Sequence, residues 1–132
     1  MIWRRLGLGL VVAWFFIGGV FHFVATPAFV SIMPPYAPWP LFWVLFTGVC
    51  EIAGAIGVLV PRTRRLAGWA LIALTVCVTP ANLEMALHAE RYPAIGATAL
   101  WLRMAFQPVL IWIIWWSTRA LPNAGGHAAV DG

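Results

Sequence analysis

Five polar side chains lie within long apolar segments of this sequence, and they are its first candidates for chemistry. They are His22, Glu51, Asn82, Arg103 and Gln107. A charged or titratable group is expensive to hold in an apolar segment, so its presence there indicates ligand binding, proton handling or pairing with another polar group. Imidazole, carboxyl, amide and guanidinium groups can all hydrogen-bond a ligand. We therefore predict that these five residues form a ligand-binding site, and we assign none of them a catalytic role.

Metal and thiol chemistry are the other options that the residue types offer. Glu84 and His88 are spaced four residues apart, and His22 is expected at a similar depth; Glu with two His is a known metal-ligand set. That spacing is common and no further ligand pattern accompanies it, so we predict no metal. Cys50 and Cys77 lack a C-x-x-C motif. A disulfide between them is geometrically feasible, but we expect both to pack as small apolar residues.

The composition places the elements that carry these residues in a membrane. Of 132 residues, 63% are hydrophobic and 9% are charged, against about 45–50% apolar and about 25% charged residues in soluble domains. Such a chain has too little charge to cover a water-exposed surface and is too apolar to be disordered. All eight basic residues are Arg, scattered mostly beside apolar runs. This pattern favours the lipid bilayer as a partner and argues against nucleic acid.

Four apolar segments are long enough to cross a bilayer, which takes about 20 residues each. They are predicted at residues 6–24, 39–60, 66–88 and 97–118, with a proline-rich stretch at 26–40 between the first two. Continuous apolar runs cross as helices, because every backbone polar group must be satisfied within the lipid. The predicted fold is an all-α membrane protein, an antiparallel bundle of four transmembrane helices. Residues 1–121 form its single domain, the proline-rich stretch covers its outer end, and residues 122–132 form a flexible cytoplasmic tail.

The arginines predict the orientation of this bundle. Six of them fall on one side of the four segments and one on the other. The six are Arg4, Arg5, Arg62, Arg64, Arg65 and Arg119. Because cytoplasmic loops carry the excess of basic residues, both termini are expected in the cytoplasm. The alternative is that the first segment is a cleaved signal peptide, which would leave three spans and an arginine cluster at odds with the remaining topology.

The depth of each polar residue separates two interpretations of the site. Counted from the outer end of its own helix, His22 lies about 3 Å in, Arg103 about 8 Å and Glu51 about 16 Å, near the midplane. An unpaired carboxylate at that depth takes up a proton, so Glu51 would handle a proton or a ligand hydroxyl. The alternative is a buried ion pair of Arg103 with Glu51 or Glu84 that only fixes helix register. Asn82 and Gln107 could likewise serve as hydrogen-bonding links between helices.

The order of motifs along the chain resembles the DoxX-like family of small four-helix membrane proteins, over about residues 6–117. The motifs are Gly18–Phe23, Met33–Pro35, Thr47–Ala55, Pro61–Trp69, Pro80–Asn82 and Leu100–Arg103 with Gln107. The resemblance implies a bacterial inner-membrane protein of the DoxX/DoxD/MauE group, which is associated with membrane redox and oxidative-stress processes. The recurring polar positions of that family correspond here to the same five residues. The sequence departs from the redox-relay members in having no C-x-x-C, which argues against direct thiol chemistry.

These observations predict a membrane protein that binds a small lipophilic molecule, with a quinone as the first candidate, in the outer half of the bundle. It would serve a redox or stress-response process. No ligands for haem, flavin or an iron–sulfur cluster are visible, so electron transfer by this chain alone is not predicted and enzyme activity stays open. One alternative is a non-catalytic accessory or assembly subunit that docks against a membrane partner or a second copy. Another is a small transporter, for which four spans are few.

The topology is testable by cysteine labelling. In a chain with Cys50 and Cys77 replaced by Ala, we expect a cysteine at position 35 to react with a membrane-impermeant maleimide from outside the cell. A cysteine at position 64 should react only after permeabilisation, because Arg62 and Arg65 still hold that loop in the cytoplasm. Labelling of position 64 from outside would contradict the four-span topology.

Overall fold

The computed structural model describes residues 1–119, and within that range it contains helices and no strand. The elements are α1 (Ile2–Val24), α2 (Thr26–Ser31), α3 (Pro40–Leu59), α4 (Arg64–Leu87), a 3₁₀ turn (Ala89–Arg91) and α5 (Ala97–Thr118). The four long helices are each apolar and long enough to cross a membrane. The predicted all-α fold class with four such helices is therefore confirmed. The tail predicted at residues 122–132 lies outside the described residues.

The helices differ from the predicted segments mainly at their arginine-bearing ends. α1 begins at Ile2 and α4 at Arg64, so both helices include arginines that the uncharged segments left out. Arginine is a good helix former, and a helix continues past the edge of the apolar run that identifies it. α3 begins directly at Pro40, whose fixed backbone suits the first turn of a helix. Trp39 before it adopts a left-handed conformation with φ of 49°, which turns the chain into the helix.

The four long helices form a square bundle. α1 packs against α3 and α5, and α4 packs against the same two helices, so α1 and α4 lie on a diagonal. Neighbouring helices run antiparallel, because each follows the last through a connection that returns at the same end. One end, here called the arginine end, holds the start of α1, the α3–α4 connection and the end of α5. The other, here called the opposite end, holds α2, the start of α3 and the 3₁₀ turn.

Two apolar clusters lie in the interior, one toward each end of the bundle. The larger lies toward the arginine end and includes Val11, Phe15, Ala55, Val58, Ala67, Leu71, Leu110 and Ile114. The smaller lies toward the opposite end and consists of Met85, Ala86, Tyr92 and Leu100. All five predicted site residues are absent from both clusters. Many large apolar side chains on the outer surfaces of all four helices stay exposed, as a surface that contacts lipid requires.

α1 and α3 approach each other most closely at Gly19 and Gly48. A Cβ atom on Gly19 would lie 2.9 Å from the carbonyl oxygen of Gly48, and one on Gly48 would lie 2.7 Å from the Cβ of His22. Small residues at a crossing of membrane helices let the backbones come together in this way. The crossing places His22 of α1 beside α3, which fixes the geometry of the site.

This crossing predicts unequal effects for two glycine substitutions in α1. We expect Gly19→Ala to lower the free energy of unfolding by about 1–3 kcal/mol, because the added methyl group forces the two backbones apart. Gly9→Ala is the matched control: a Cβ there meets nothing within 4 Å, so it should be neutral or mildly stabilising through helix propensity. Thermal melts of the detergent-solubilised variants compare the two. Equal stability of both variants would contradict the close crossing.

Candidate functional site: a polar layer between two apolar clusters

His22 and Glu51 form the centre of the polar layer. Nε2 of His22 lies 3.7 Å from Oε1 of Glu51, and Nδ1 lies 2.8 Å from the carbonyl oxygen of Val44. A carbonyl only accepts hydrogen bonds, so Nδ1 carries a proton and donates it to Val44. In a neutral ring Nε2 would then present its lone pair to the carboxylate, which is repulsive. A proton on either Nε2 or the Glu51 carboxyl would remove this repulsion.

The crossing of α1 and α3 creates the space for this pair. Gly18 lies opposite Glu51, and a Cβ atom there would come within 2.9 Å of Oε2. Phe29 of α2 covers the other side of His22, with ring centroids 4.2 Å apart. His22 is consequently only 9% exposed. Although α1 ends two residues after His22, the imidazole ring is covered by α2 and is not open to the outside of the bundle.

This contact revises the depths counted along separate helices. The count places His22 about 13 Å further outward than Glu51, whereas the structure brings their side chains within 3.7 Å. The physical reason is that α1 ends at Val24, well short of the level at which α3 begins, and α2 occupies the remaining height. A depth counted along one helix gives no information on how far the neighbouring helix is shifted along the bundle axis.

Gln107 joins α5 to α4 through Thr79. The Thr79 hydroxyl lies 2.9 Å from Oε1 of Gln107 and 2.8 Å from the carbonyl oxygen of Thr75. A hydroxyl has one proton, so it donates to one of these two acceptors at a time. Thr79 and Gln107 each precede a proline within their helix, Pro80 and Pro108 respectively. The link therefore joins the two helices at the point where each contains a proline.

Asn82 and Arg103 lie about one helical turn beyond that link, toward the opposite end. Asn82 follows Thr79 by three residues along α4, and Arg103 precedes Gln107 by four along α5, which runs the other way. Asn82 is buried. Arg103 shares the inward stripe of α5 with the buried Leu100 and Gln107, yet its side chain stays exposed. The interior of the bundle is thus accessible at this level.

Arg103 acts on the His22–Glu51 pair at a distance. Its charge lies within electrostatic range of both residues. In the part of the chain that the structure describes, however, it forms no ion pair with Glu51; the pairs found there are His22–Glu51, His88–Glu84 and Arg91–Glu84. The structure therefore brings the guanidinium near the carboxylate without direct contact. A buried ion pair that fixes helix register does not match this geometry.

Most polar groups of the layer have no hydrogen-bond partner in the protein. Within residues 1–119, neither the Glu51 carboxylate, the Asn82 amide nor the Arg103 guanidinium forms a hydrogen bond, and His22 and Gln107 form one each. Asn82 is buried, Glu51 is half-buried and Arg103 is exposed, so their polar atoms keep some access from outside the bundle. Donors and acceptors on three helices are therefore free to bind a molecule that enters the layer.

The other sequence candidates lie elsewhere. Glu84 pairs with His88 at 3.0 Å and lies 3.5 Å from Arg91 near the opposite end, whereas His22 contacts Glu51 instead. No group of three His, Cys, Asp or Glu residues that could hold a metal ion occurs among the described residues. Cys50 and Cys77 are both free. Cys77 is exposed on the outer surface of α4, so it does not pack inside the bundle as expected.

Together, the bundle and its polar layer define a small four-helix protein of the kind that crosses a membrane several times. The chain belongs to the family described as Domain of unknown function (DUF8561), whose model matches residues 11–118. That range contains all five residues of the predicted site. No curated protein and no solved structure matches the chain.

The absence of a direct Glu51–Arg103 contact predicts weak energetic coupling between them. We expect Glu51→Gln to change the free energy of unfolding only through its contact with His22, and by the same amount whether or not Arg103 is present. The double variant with Arg103→Gln should show the sum of the two single effects. Thermal melts of the three variants in detergent measure this. A loss of about 3–5 kcal/mol for Glu51→Gln that the double variant restores would identify a locking ion pair instead.

Proposed function

We propose that this protein binds a small lipophilic molecule in its polar layer and serves a membrane redox or stress-response process, with a quinone as the first candidate ligand. The observation that carries the proposal is that the Glu51 carboxylate, the Asn82 amide and the Arg103 guanidinium form no hydrogen bond within residues 1–119, where the contact of Glu51 is the 3.7 Å approach of His22. A polar cluster that only locks helices together satisfies its members internally. A binding site leaves them available, and a lipid-soluble ligand can reach a site within the bilayer.

The chemistry of the layer suits a quinone. A quinone carries two carbonyl oxygens that accept hydrogen bonds, and the Arg103 guanidinium and the Asn82 amide are donors on adjacent helices. The His22 imidazole and the Glu51 carboxyl are the two groups of the layer that can exchange a proton with a ligand oxygen. The chain contributes binding groups and a proton site. Electron transfer belongs to the ligand and to a partner enzyme.

Location and orientation complete the proposal. The resemblance to the DoxX-like family supports a bacterial inner membrane, and the arginine distribution supports cytoplasmic termini. The arginine end then faces the cytoplasm and the polar layer lies in the outer half of the bilayer. The accessory-subunit alternative is compatible with the exposed apolar surface, but lipid covers that surface equally well. That alternative also gives no reason for the polar groups that form no hydrogen bond.

A binding titration with matched variants tests the function. The full chain in detergent micelles is titrated with a short-chain ubiquinone analogue, and heat is recorded by calorimetry. We expect saturable binding that Glu51→Gln and Arg103→Gln each weaken about tenfold or more, since each removes a charged hydrogen-bonding group. Glu84→Gln and Arg91→Gln are the controls, because they change the same residue types in a cluster outside the layer.

Two results would contradict the proposal. The first is no saturable binding by the unmodified protein. The second is equal weakening by Glu84→Gln and Glu51→Gln, which would indicate partitioning of the quinone into the micelle or a general charge effect. Native mass spectrometry of the protein purified from its own membrane adds an independent measurement, namely the mass of any lipophilic molecule that stays bound.

A further inference from the structure

Positive charge accumulates at the arginine end, where residues 1–119 supply no acidic partner. Six of the eight arginines lie there, at positions 4, 5, 62, 64, 65 and 119. The glutamates of the described chain lie elsewhere: Glu51 is in the polar layer, and Glu84 and Glu90 are near the opposite end. None of the ion pairs found in residues 1–119 involves an arginine of this end. The orientation rule explains why arginines face one side, but not their arrangement around a cavity.

A cavity of about 430 Å³ opens between the helix termini at this end. Five arginines line it, namely Arg4, Arg5, Arg64, Arg65 and Arg119. Two of them are bound to the protein: Arg64 donates to the carbonyl oxygens of Val58 and Leu59, at 2.8 and 3.2 Å, and Arg4 donates to those of Ser117 and Arg119. These bonds satisfy carbonyls at the ends of α3 and α5 and hold both guanidinium groups in place.

The remaining donors of the cavity have no hydrogen-bond partner among residues 1–119. Nε of Arg4 is buried and has no hydrogen-bond partner. The side chains of Arg5, Arg65 and Arg119 form no hydrogen bond with any described residue; Arg119 stacks over the ring of Trp115, 4.8 Å from its centroid. Guanidinium groups that converge in this way match the geometry of a phosphate group.

An apolar groove continues from this cavity along α4 and α5. It has a volume of about 200 Å³ and is lined by Trp69, Ile72 and Trp115, and it shares Arg65, Thr118 and Arg119 with the cavity. Tryptophan is typical of the membrane interface, where one part of the ring contacts lipid chains and the other the headgroups. A charged cavity that adjoins an apolar groove on the lipid-facing surface has the two chemistries of a phospholipid.

We infer that the cavity and the groove together bind an anionic phospholipid of the adjacent leaflet. The phosphate lies among Arg5, Arg65 and Arg119, and the first part of an acyl chain lies against Trp69, Ile72 and Trp115. Basic pockets between membrane helices on the cytoplasmic side are suited to anionic headgroups. This inference concerns the end of the bundle away from the polar layer and does not depend on the proposed ligand.

Lipid retention in native mass spectrometry tests the site. The full-length protein in detergent is incubated with phosphatidylglycerol or with phosphatidylcholine, and the bound fraction is compared. We expect phosphatidylglycerol to bind about tenfold more tightly, and Arg65→Gln and Arg119→Gln each to weaken it about fivefold. Arg62→Gln is the matched control, because Arg62 lies just before α4 at the same end of the bundle but lines neither the cavity nor the groove. Arg65→Lys, which keeps the charge but loses the forked donors, should weaken binding less than Arg65→Gln does.

The outcomes separate a lipid site from simpler explanations. Equal binding of the two lipids, or an equal loss in Arg62→Gln and Arg65→Gln, would overturn the inference, because general attraction to positive charge would then account for binding. Displacement of phosphatidylglycerol by an equimolar amount of inorganic phosphate would overturn it as well, since the site would recognise the anion alone. Thermal melts confirm that each variant is folded before its lipid binding is compared.

Discussion

The close crossing of α1 and α3 is the contact on which the rest of the structure depends. Because Gly19 and Gly48 have no side chains, the two backbones meet there, and His22 and Glu51 come to lie side by side in an otherwise apolar interior. A larger residue at either position would separate the helices and leave a carboxylate alone in the bundle. Asn82 on α4 and Arg103 on α5 contribute to a binding site only because this crossing places the titratable pair His22–Glu51 across from them.

The fold could be predicted from the sequence because the bilayer imposes a strong constraint. Four uncharged runs of sufficient length in a chain with 9% charged residues leave few alternatives to four helices. The residues of the polar layer could also be selected from the sequence, since Glu51 and Arg103 stand out as charged residues among apolar neighbours. What a single sequence does not contain is the relative height of neighbouring helices, and for that reason the contact between His22 and Glu51 and the cover by Phe29 were not predicted.

The chain separates two kinds of polar chemistry along its length. The polar layer uses few groups of mixed type that lie between two apolar clusters. The arginine end uses many groups of one sign at the surface, where long-range attraction dominates and salt weakens it. The larger apolar cluster, between them, insulates one from the other. The cavity at the arginine end was not predicted because its arginines come from the start of α1, the start of α4 and the end of α5, and only the packing of these helices brings them together.

The prolines of α4 and α5 give this small bundle a mechanical property. Pro80 and Pro108 each remove one backbone hydrogen bond, and the neighbouring Thr79 and Gln107 are joined to each other. Helices bend most easily where such a bond is missing. The part of α4 that carries Asn82 and the part of α5 that carries Arg103 therefore bend at the same level of the bundle. Because Thr79 and Gln107 join the two helices there, these parts can tilt together relative to α1 and α3. Widening or narrowing of the polar layer then requires no break in the helix contacts toward the arginine end.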